Sequence, residues 1–173
     1  VLSITVKRVP DGLASNWLHD NVQAGFELFI AGPNGEFNCF DAPANKLLLI
    51  SAGSGITPVM SMLRWLTDTF SSCNIVFLNN VRTPIDIIFD HELRYLGQRL
   101  GDRLKLGLIP AKVDAGQYWN GPVGHFSLDL VKLYAPDFLE REVFVCGPHS
   151  RSKVASFVTL SIGVTYLVPT NLN

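Results

Sequence analysis

The stretch LLLISAGSGITPVMSMLRWL, Leu47 to Leu66, decides the fold. It extends an apolar run, KLLLIS, of the kind that a parallel strand buried on both faces requires. A glycine turn follows, and then a helix from Pro58 to Thr69. In the turn, SAGSGITP, Gly53 and Gly55 lack Cβ atoms, so the backbone can turn tightly and approach a ligand closely. Thr57 is the expected N-cap and Pro58 the expected first helical residue. Free N–H groups and the positive helix end then face an anion such as pyrophosphate. A plain tight turn without a ligand is the competing reading. The pattern is not a Walker A loop, because no Gly-Lys-Ser/Thr follows. It is not the ordinary Rossmann fingerprint either. Pro58 takes the third glycine position, and Asn79 and Asn80 stand where an acid usually closes the second strand.

Downstream the alternation continues. CNIVFLNN (Cys73 to Asn80), RLKLGLIP (Arg103 to Pro110) and REVFVCGP (Arg141 to Pro148) read as further buried strands. DIIFDHELRYLGQRL (Asp86 to Leu100), SLDLVKLYA (Ser127 to Ala135) and SRSKVASFVTLSIG (Ser150 to Gly163) read as helices between and after them. Strands alternating with helices predict an α/β domain with a parallel, doubly wound sheet. Ligands of such sheets bind beyond the carboxyl ends of the strands. The turns SAGSGITP and CGPHS both lie there. Ala111 to Gly124 is a longer loop carrying YWN.

Upstream the period changes. LSITVKRV (Leu2 to Val9) alternates apolar and polar residues, as a half-buried strand does. PDG (Pro10 to Gly12) is a turn. LASNWLHDN is a short helix, capped by Ser15 or Asn16. Phe26 to Ala31 is a second strand, followed by the turn GPNG. Residues 1–43 are therefore expected to be antiparallel β with one short helix, and residues 44–173 the α/β domain.

Composition bounds the function. Of the 173 residues, 47% are hydrophobic and 17% charged, enough for a core and too apolar for disorder. The formal net charge of −1 has no basic block behind it, which argues against nucleic acid and anionic membranes. No apolar run reaches the ~18 residues of a transmembrane helix, so no membrane insertion is expected. Cys39, Cys73 and Cys146 are far apart and odd in number, which fits a reduced, cytoplasmic protein rather than a disulfide framework. The four histidines, His19, His91, His125 and His149, show no metal-ligand spacing, so no metal is expected. Met60 and Met62 read as core, and Trp17, Trp65 and Trp119 as packing residues. The chain begins at Val1 in what reads as mid-strand, so a fragment of a longer protein is expected.

Four motifs taken together, GLAS (Gly12 to Ser15), SAGSGITPVMSMLRWL, NNVRTPIDIIFDHEL and VFVCGP, resemble the ferredoxin–NADP reductase superfamily. Within it the resemblance is strongest to the NADH oxidoreductases that serve hybrid-cluster protein and to related oxygenase reductases. The likeness spans Leu2 to Gly163. It implies that residues 1–43 are part of an FAD-binding β-barrel and that residues 44–173 bind NAD(P). It also implies roles. Gly12, Ala14 and Ser15 contact the flavin pyrophosphate. Gly53, Ser54, Gly55, Thr57 and Pro58 meet the nicotinamide cofactor's pyrophosphate. Arg82 lies on its ribose or phosphate side. Cys146, Gly147 and Pro148 lie beside the nicotinamide ring, with Cys146, the expected catalytic-site residue, near the reactive carbon as a packing and orienting side chain. Without the resemblance, Cys146 reads as a small buried hydrophobe and Arg82 as a surface charge.

The implied reaction is hydride transfer from NADH to FAD, then electron transfer to an iron–sulfur or other redox protein. The cofactors supply that chemistry, and the protein positions them, so no acid–base dyad is needed. NADPH-using relatives place Ser and Arg at the end of the third strand. Here LIPAK offers only Lys112, and His125 stands where an arginine is frequent, so NADH is expected with NADPH as the alternative. The family's Arg-x-Tyr-Ser/Thr flavin motif is absent, as is the Cys-x4-Cys-x2-Cys pattern, so a 2Fe–2S cluster is expected only in a further C-terminal domain. A truncated barrel implies self-association through an open edge. The competing functions are a dinucleotide-binding module without catalysis, and a fragment that binds nothing alone.

Overall fold

A computed structural model describes residues 2–32, 34–41 and 44–147, and the backbone of 166–169. The chain divides into two compact units, Val1–Glu36 and Phe37–Asn173. Phe37 and Cys39 already pack with the core of the second unit, so the division falls a few residues before the expected domain boundary.

The first unit is built on helix α1, Leu13–Asn21. The PDG turn forms, with Asp11 left-handed at φ 59° and the Gly12 N–H donating to the Val9 carbonyl at 3.0 Å. The two expected strands do not form: Leu2 to Val9 and Phe26 to Ala31 carry no ladder. Alternation reports which side chains could be half-buried, whereas a strand needs a neighbouring backbone to bond. Here the helix takes that place. The His19 ring nitrogen Nε2 lies 2.9 Å from the Val6 carbonyl, Asn16 Nδ2 donates to the Val9 carbonyl, and Arg8 reaches Asn16 and Asp20. Neither expected cap caps α1. Gly12 occupies the N-cap with no side-chain bond, and Ser15 lies in the first turn. Trp17 packs edge-on against Phe26 at 5.9 Å.

The second unit is the α/β domain. Its strands are β1 (Lys46–Ala52), β2 (Asn74–Val81), β3 (Leu104–Pro110), β4 (Glu142–Gly147) and β5 (Tyr166–Pro169). They form one parallel sheet in the order β3-β2-β1-β4-β5. The last strand was not expected from TYLVPTNLN, and the expected helix over Ser150 to Gly163 lies outside the described residues. Helices α2 (Ile56–Asp68), α3 (Asp90–Leu100) and α4 (Leu128–Tyr134) cover the sheet.

Each buried strand feeds two cores by simple alternation. Leu47, Leu49, Phe77 and Phe144 point to one face, where Val59, Met60 and Leu63 of α2 and Leu93 of α3 meet them. Leu48, Ile50, Val76 and Val145 point to the other, against Val131, Ala135 and Phe138. Both methionines are core, as expected. Trp65 lies edge-on to Phe40 at 4.4 Å, and Trp119 packs partly buried on the first core.

Two helix starts differ from expectation. The chain enters α2 through a 3₁₀ turn, Gly53–Gly55, so Gly55 is the N-cap and not Thr57. Pro58 is accordingly the third helical residue. α3 begins at Asp90, not Asp86, because Pro84–Asp86 forms a separate capped 3₁₀ turn and Phe89 is left-handed at φ 63°.

At the amino ends of the strands, Arg141 binds the Asp137 carboxylate with Nε and NH2, at 2.8 and 3.1 Å, and Lys46 joins at 2.9 Å. These bonds, with Arg141 leading, hold the Asp137 carboxyl at about 2, below its ordinary 3.8. A depressed carboxyl contributes stability that is complete above about 3.8 and is lost as pH falls through about 2. The urea midpoint is therefore expected to drop between pH 4 and pH 2, and to drop less in Asp137→Asn. Equal slopes in the two proteins would refute the assignment.

Candidate functional site

Strand order places the topological switch between β1 and β4: from β1 the chain moves outward to β2 and β3, then returns to β4 on the other side. In a sheet of this order the ligand crevice is expected there, beyond the carboxyl ends. Two backbone segments meet there, the Gly53–Gly55 turn after β1 and the Cys146–Gly147 end of strand β4. They meet without side chains between them. A Cβ built on Gly55 would overlap the Cys146 carbonyl and come within 2.7 Å of Gly147 Cα. A Cβ on Gly147 would lie 3.0 Å from that of Ala52. Gly55 has an ordinary φ of −64°, so glycine is required there by the approach of β4 and not by conformation. Gly53 is the reverse case, left-handed at φ 52° with open space around it.

The helix end beneath this crevice suits an anion. Neither the 3₁₀ turn nor α2 has a side-chain cap bond, and neither has an acid in its first turn. The Ile56 N–H is taken by the Gly53 and Ser54 carbonyls, so the leading N–H groups open to a ligand are those of the 3₁₀ turn, where the helix dipole adds positive potential. The Thr57 hydroxyl is turned back, donating to the Ser54 carbonyl at 3.3 Å. This is a backbone cradle of the kind a pyrophosphate fits. Pro148 lies outside the described residues.

Cys146 is 2% exposed, and burial pushes its thiol up to about 11. It stays neutral at physiological pH and has no thiolate character. Its register partner is Ser51 of β1. The Ser51 hydroxyl accepts a bond from Asn79 Nδ2 at 2.8 Å and donates to the Leu78 carbonyl at 3.3 Å. Buried Asn79 Oδ1 has no partner among the described residues.

Arg82, just past β2, is exposed and donates through Nε to Asp86 at 3.2 Å. Asp86 also accepts the Thr83 N–H and hydroxyl, and these bonds, the hydroxyl foremost, hold its carboxyl below the usual range. Sequence reasoning passed over Asp86, although the Thr83-Pro-x-Asp86 spacing of a capping box was a readable signal. Lys112, the cation nearest the end of β3, is paired with Asp114 at 2.7 Å. Beyond Arg82, a groove of about 380 Å³ runs between Pro84, Ile85, Asp90 and Arg94 on one side and Tyr118 to Asn120 on the other.

In the first unit, Gly12, Ala14 and Ser15 sit at the start of α1. The Ser15 hydroxyl accepts the Val9 N–H at 3.2 Å and faces the Gly12 carbonyl at 3.4 Å. It is engaged within the unit, while the N-terminus of α1 has no side-chain cap. Among the described residues of this unit, the start of α1 is therefore an uncapped helix end. No cluster of metal-ligating side chains exists among the described residues.

The oxidoreductase NAD-binding domain family matches residues 49–155, which contain both the Gly53–Gly55 turn and the end of β4. The chain belongs to this family, within the ferredoxin–NADP reductase superfamily. The chain is 50% identical over 146 residues to the glycine betaine monooxygenase reductase subunit of Pseudomonas aeruginosa, covering 84% of this chain and 40% of that protein. It is 33% identical to the NADH oxidoreductase HCR of Escherichia coli, covering 95% and 47%. A ferredoxin reductase in carbazole 1,9a-dioxygenase superposes with a TM-score of 0.74 at 25% identity, covering 95% and 49%. The chain thus spans less than half the length of the curated relatives it matches.

Proposed function

We propose that this chain is the nucleotide-binding part of an NAD(P)H-dependent electron-transfer reductase. It takes hydride from NADH to FAD and sends electrons on to an iron–sulfur or other redox partner in the cytoplasm. The observation that carries this reading is the side-chain-free meeting of Gly55 with Cys146 and Gly147 over an uncapped helix end. The uncapped N–H groups bind the pyrophosphate. Cys146, neutral and packed, shapes the floor beside the nicotinamide and excludes water from it. Arg82 meets the ribose or phosphate side, and Thr57 and Pro58 hold the first turn of α2. Gly147 and Pro148 flank the ring, and Gly12, Ala14 and Ser15 meet the flavin's pyrophosphate.

The flavin, when bound, accepts the hydride and releases electrons singly. The names of the relatives support an oxygenase or similar redox protein as partner. Three free, buried cysteines suit a reducing compartment, and no helix among the described residues is long and apolar enough to cross a membrane. Leu2, Ile4, Phe29 and Ile30, exposed in the first unit, support self-association. Residues 1–43 serve the flavin and residues 44–173 the nucleotide.

Mixing the chain with FAD and NADH tests the reading. Bleaching of the flavin's visible absorbance faster than in a protein-free control is expected. NADH binding without bleaching would assign the chain to a dinucleotide-binding module. Neither would overturn both.

A further inference from the structure

Asn80 is the next-to-last residue of β2, 1% exposed, and aligned in the sheet with Ala52, the residue before the Gly53 turn. Its Nδ2 donates twice, to the Ile109 carbonyl at 2.7 Å and to the Gly124 carbonyl at 2.9 Å. Those carbonyls stand at the two ends of the loop that leaves β3. The Gly124 N–H donates to the Pro110 carbonyl at 2.8 Å, which closes the loop base. One side chain thus rivets both ends of a fourteen-residue excursion, 111–124, to the strand beside the nucleotide turn.

With two carbonyls opposite, the side chain must present its NH2 group, which an aspartate lacks. An acid at this position would set oxygen against oxygen. That accounts for the missing ribose-binding acid at the end of the second strand: the site has become a structural rivet for a loop. The loop it holds supplies Tyr118, Trp119 and Asn120, one wall of the 380 Å³ groove. Trp119 is anchored in turn by its Nε1–H to the Pro122 carbonyl at 3.1 Å.

We propose that Asn80 is a positioning residue for the dinucleotide: it acts through the 111–124 loop on the half of the ligand remote from the nicotinamide. This rests on the nucleotide reading above. A dinucleotide held at the Gly53 turn would reach the groove across the ends of β2 and β3, which follow β1 in the sheet.

The test compares NADH with reduced nicotinamide mononucleotide, which lacks the adenosine half, on the full chain and on Asn80→Asp. The variant removes both bonds and is expected to weaken NADH by about tenfold or more, at least the scale of one of them, and to leave the mononucleotide unchanged. Equal loss of both ligands, or loss of neither, overturns the proposal. If the unsubstituted chain binds neither ligand, the nucleotide reading itself falls. Should Asn80→Asp fail to fold, hydrogen exchange of the unsubstituted chain decides. Added NADH is expected to slow exchange at the Ala111 and Gly124 amides, and unchanged rates there overturn the proposal.

Discussion

Gly55→Ala is expected to weaken NADH binding by more than tenfold and to cost about 1–3 kcal/mol of stability, the usual range for overpacking a tight contact. The new methyl would meet the carbonyl of Cys146 and the Cα of Gly147, both backbone. No rotamer change can relieve that overlap, so the start of α2 or the end of β4 must shift. Both line the crevice, and the shift spoils the alignment of the leading N–H groups with a pyrophosphate. Gly53→Ala is the control. It adds a methyl into open space and bears only the left-handed penalty, about 1–2 kcal/mol. NADH titration and thermal melting of both variants check the pair. A Gly55→Ala protein that binds NADH as the unsubstituted chain does would remove the crevice from the account.

Arg141→Ala is expected to destabilise the fold by about 3–5 kcal/mol, the range for breaking a buried ion pair. The guanidinium is 7% exposed and gives every bond inward. Besides Asp137, it donates to the Leu47 carbonyl at 3.2 Å and to Asn74, at 3.3 Å on the carbonyl and 2.7 Å on Oδ1. It therefore fastens β1 and β2 where β4 begins. Removal leaves the half-buried Asp137 carboxylate with Lys46 alone and strips the part-buried Leu47 and Asn74 acceptors of a donor. Domains of this size hold about 5–15 kcal/mol in total, so the urea midpoint should fall steeply. Arg141→Lys should recover only part, because an ammonium cannot reproduce the planar fork. Arg141 lies at the amino ends of the strands, opposite the crevice. NADH affinity, measured where the variant is still folded, should hardly change. A loss below about 1 kcal/mol would contradict the buried-pair reading.

These two residues were not equally legible. Gly55 could be read because a glycine turn between an apolar run and a helix has few alternatives. Arg141 appeared only as the first residue of a strand, since its partners Leu47 and Asn74 are 94 and 67 residues away. The same distance problem hid Asn80, noted in the sequence only as a missing acid. Its partners are 29 and 44 residues downstream. β1, β2 and β4 were legible because a strand buried on both faces reads as a near-continuous apolar run, and β3 because its run is broken only by the exposed Lys105. Leu2 to Val9 was misread because alternation specifies no partner strand: the segment bonds α1 instead, and Leu2 and Ile4 stay exposed. The start of α3 was misplaced because the left-handed turn at Phe89 has no glycine to announce it. The short β5 carries too few residues for a period to show.

The account's central claim is that the Gly53–Gly55 turn and the end of β4 together receive the nicotinamide cofactor. The most direct measurement is a backbone amide NMR titration of the chain with NAD⁺. The amides of Gly53, Ser54, Gly55, Ile56 and Gly147 are expected to shift together, while Asn74 and Glu142, at the amino ends of β2 and β4, stay in place. Shifts confined to residues elsewhere, or none at millimolar NAD⁺, would contradict the claim.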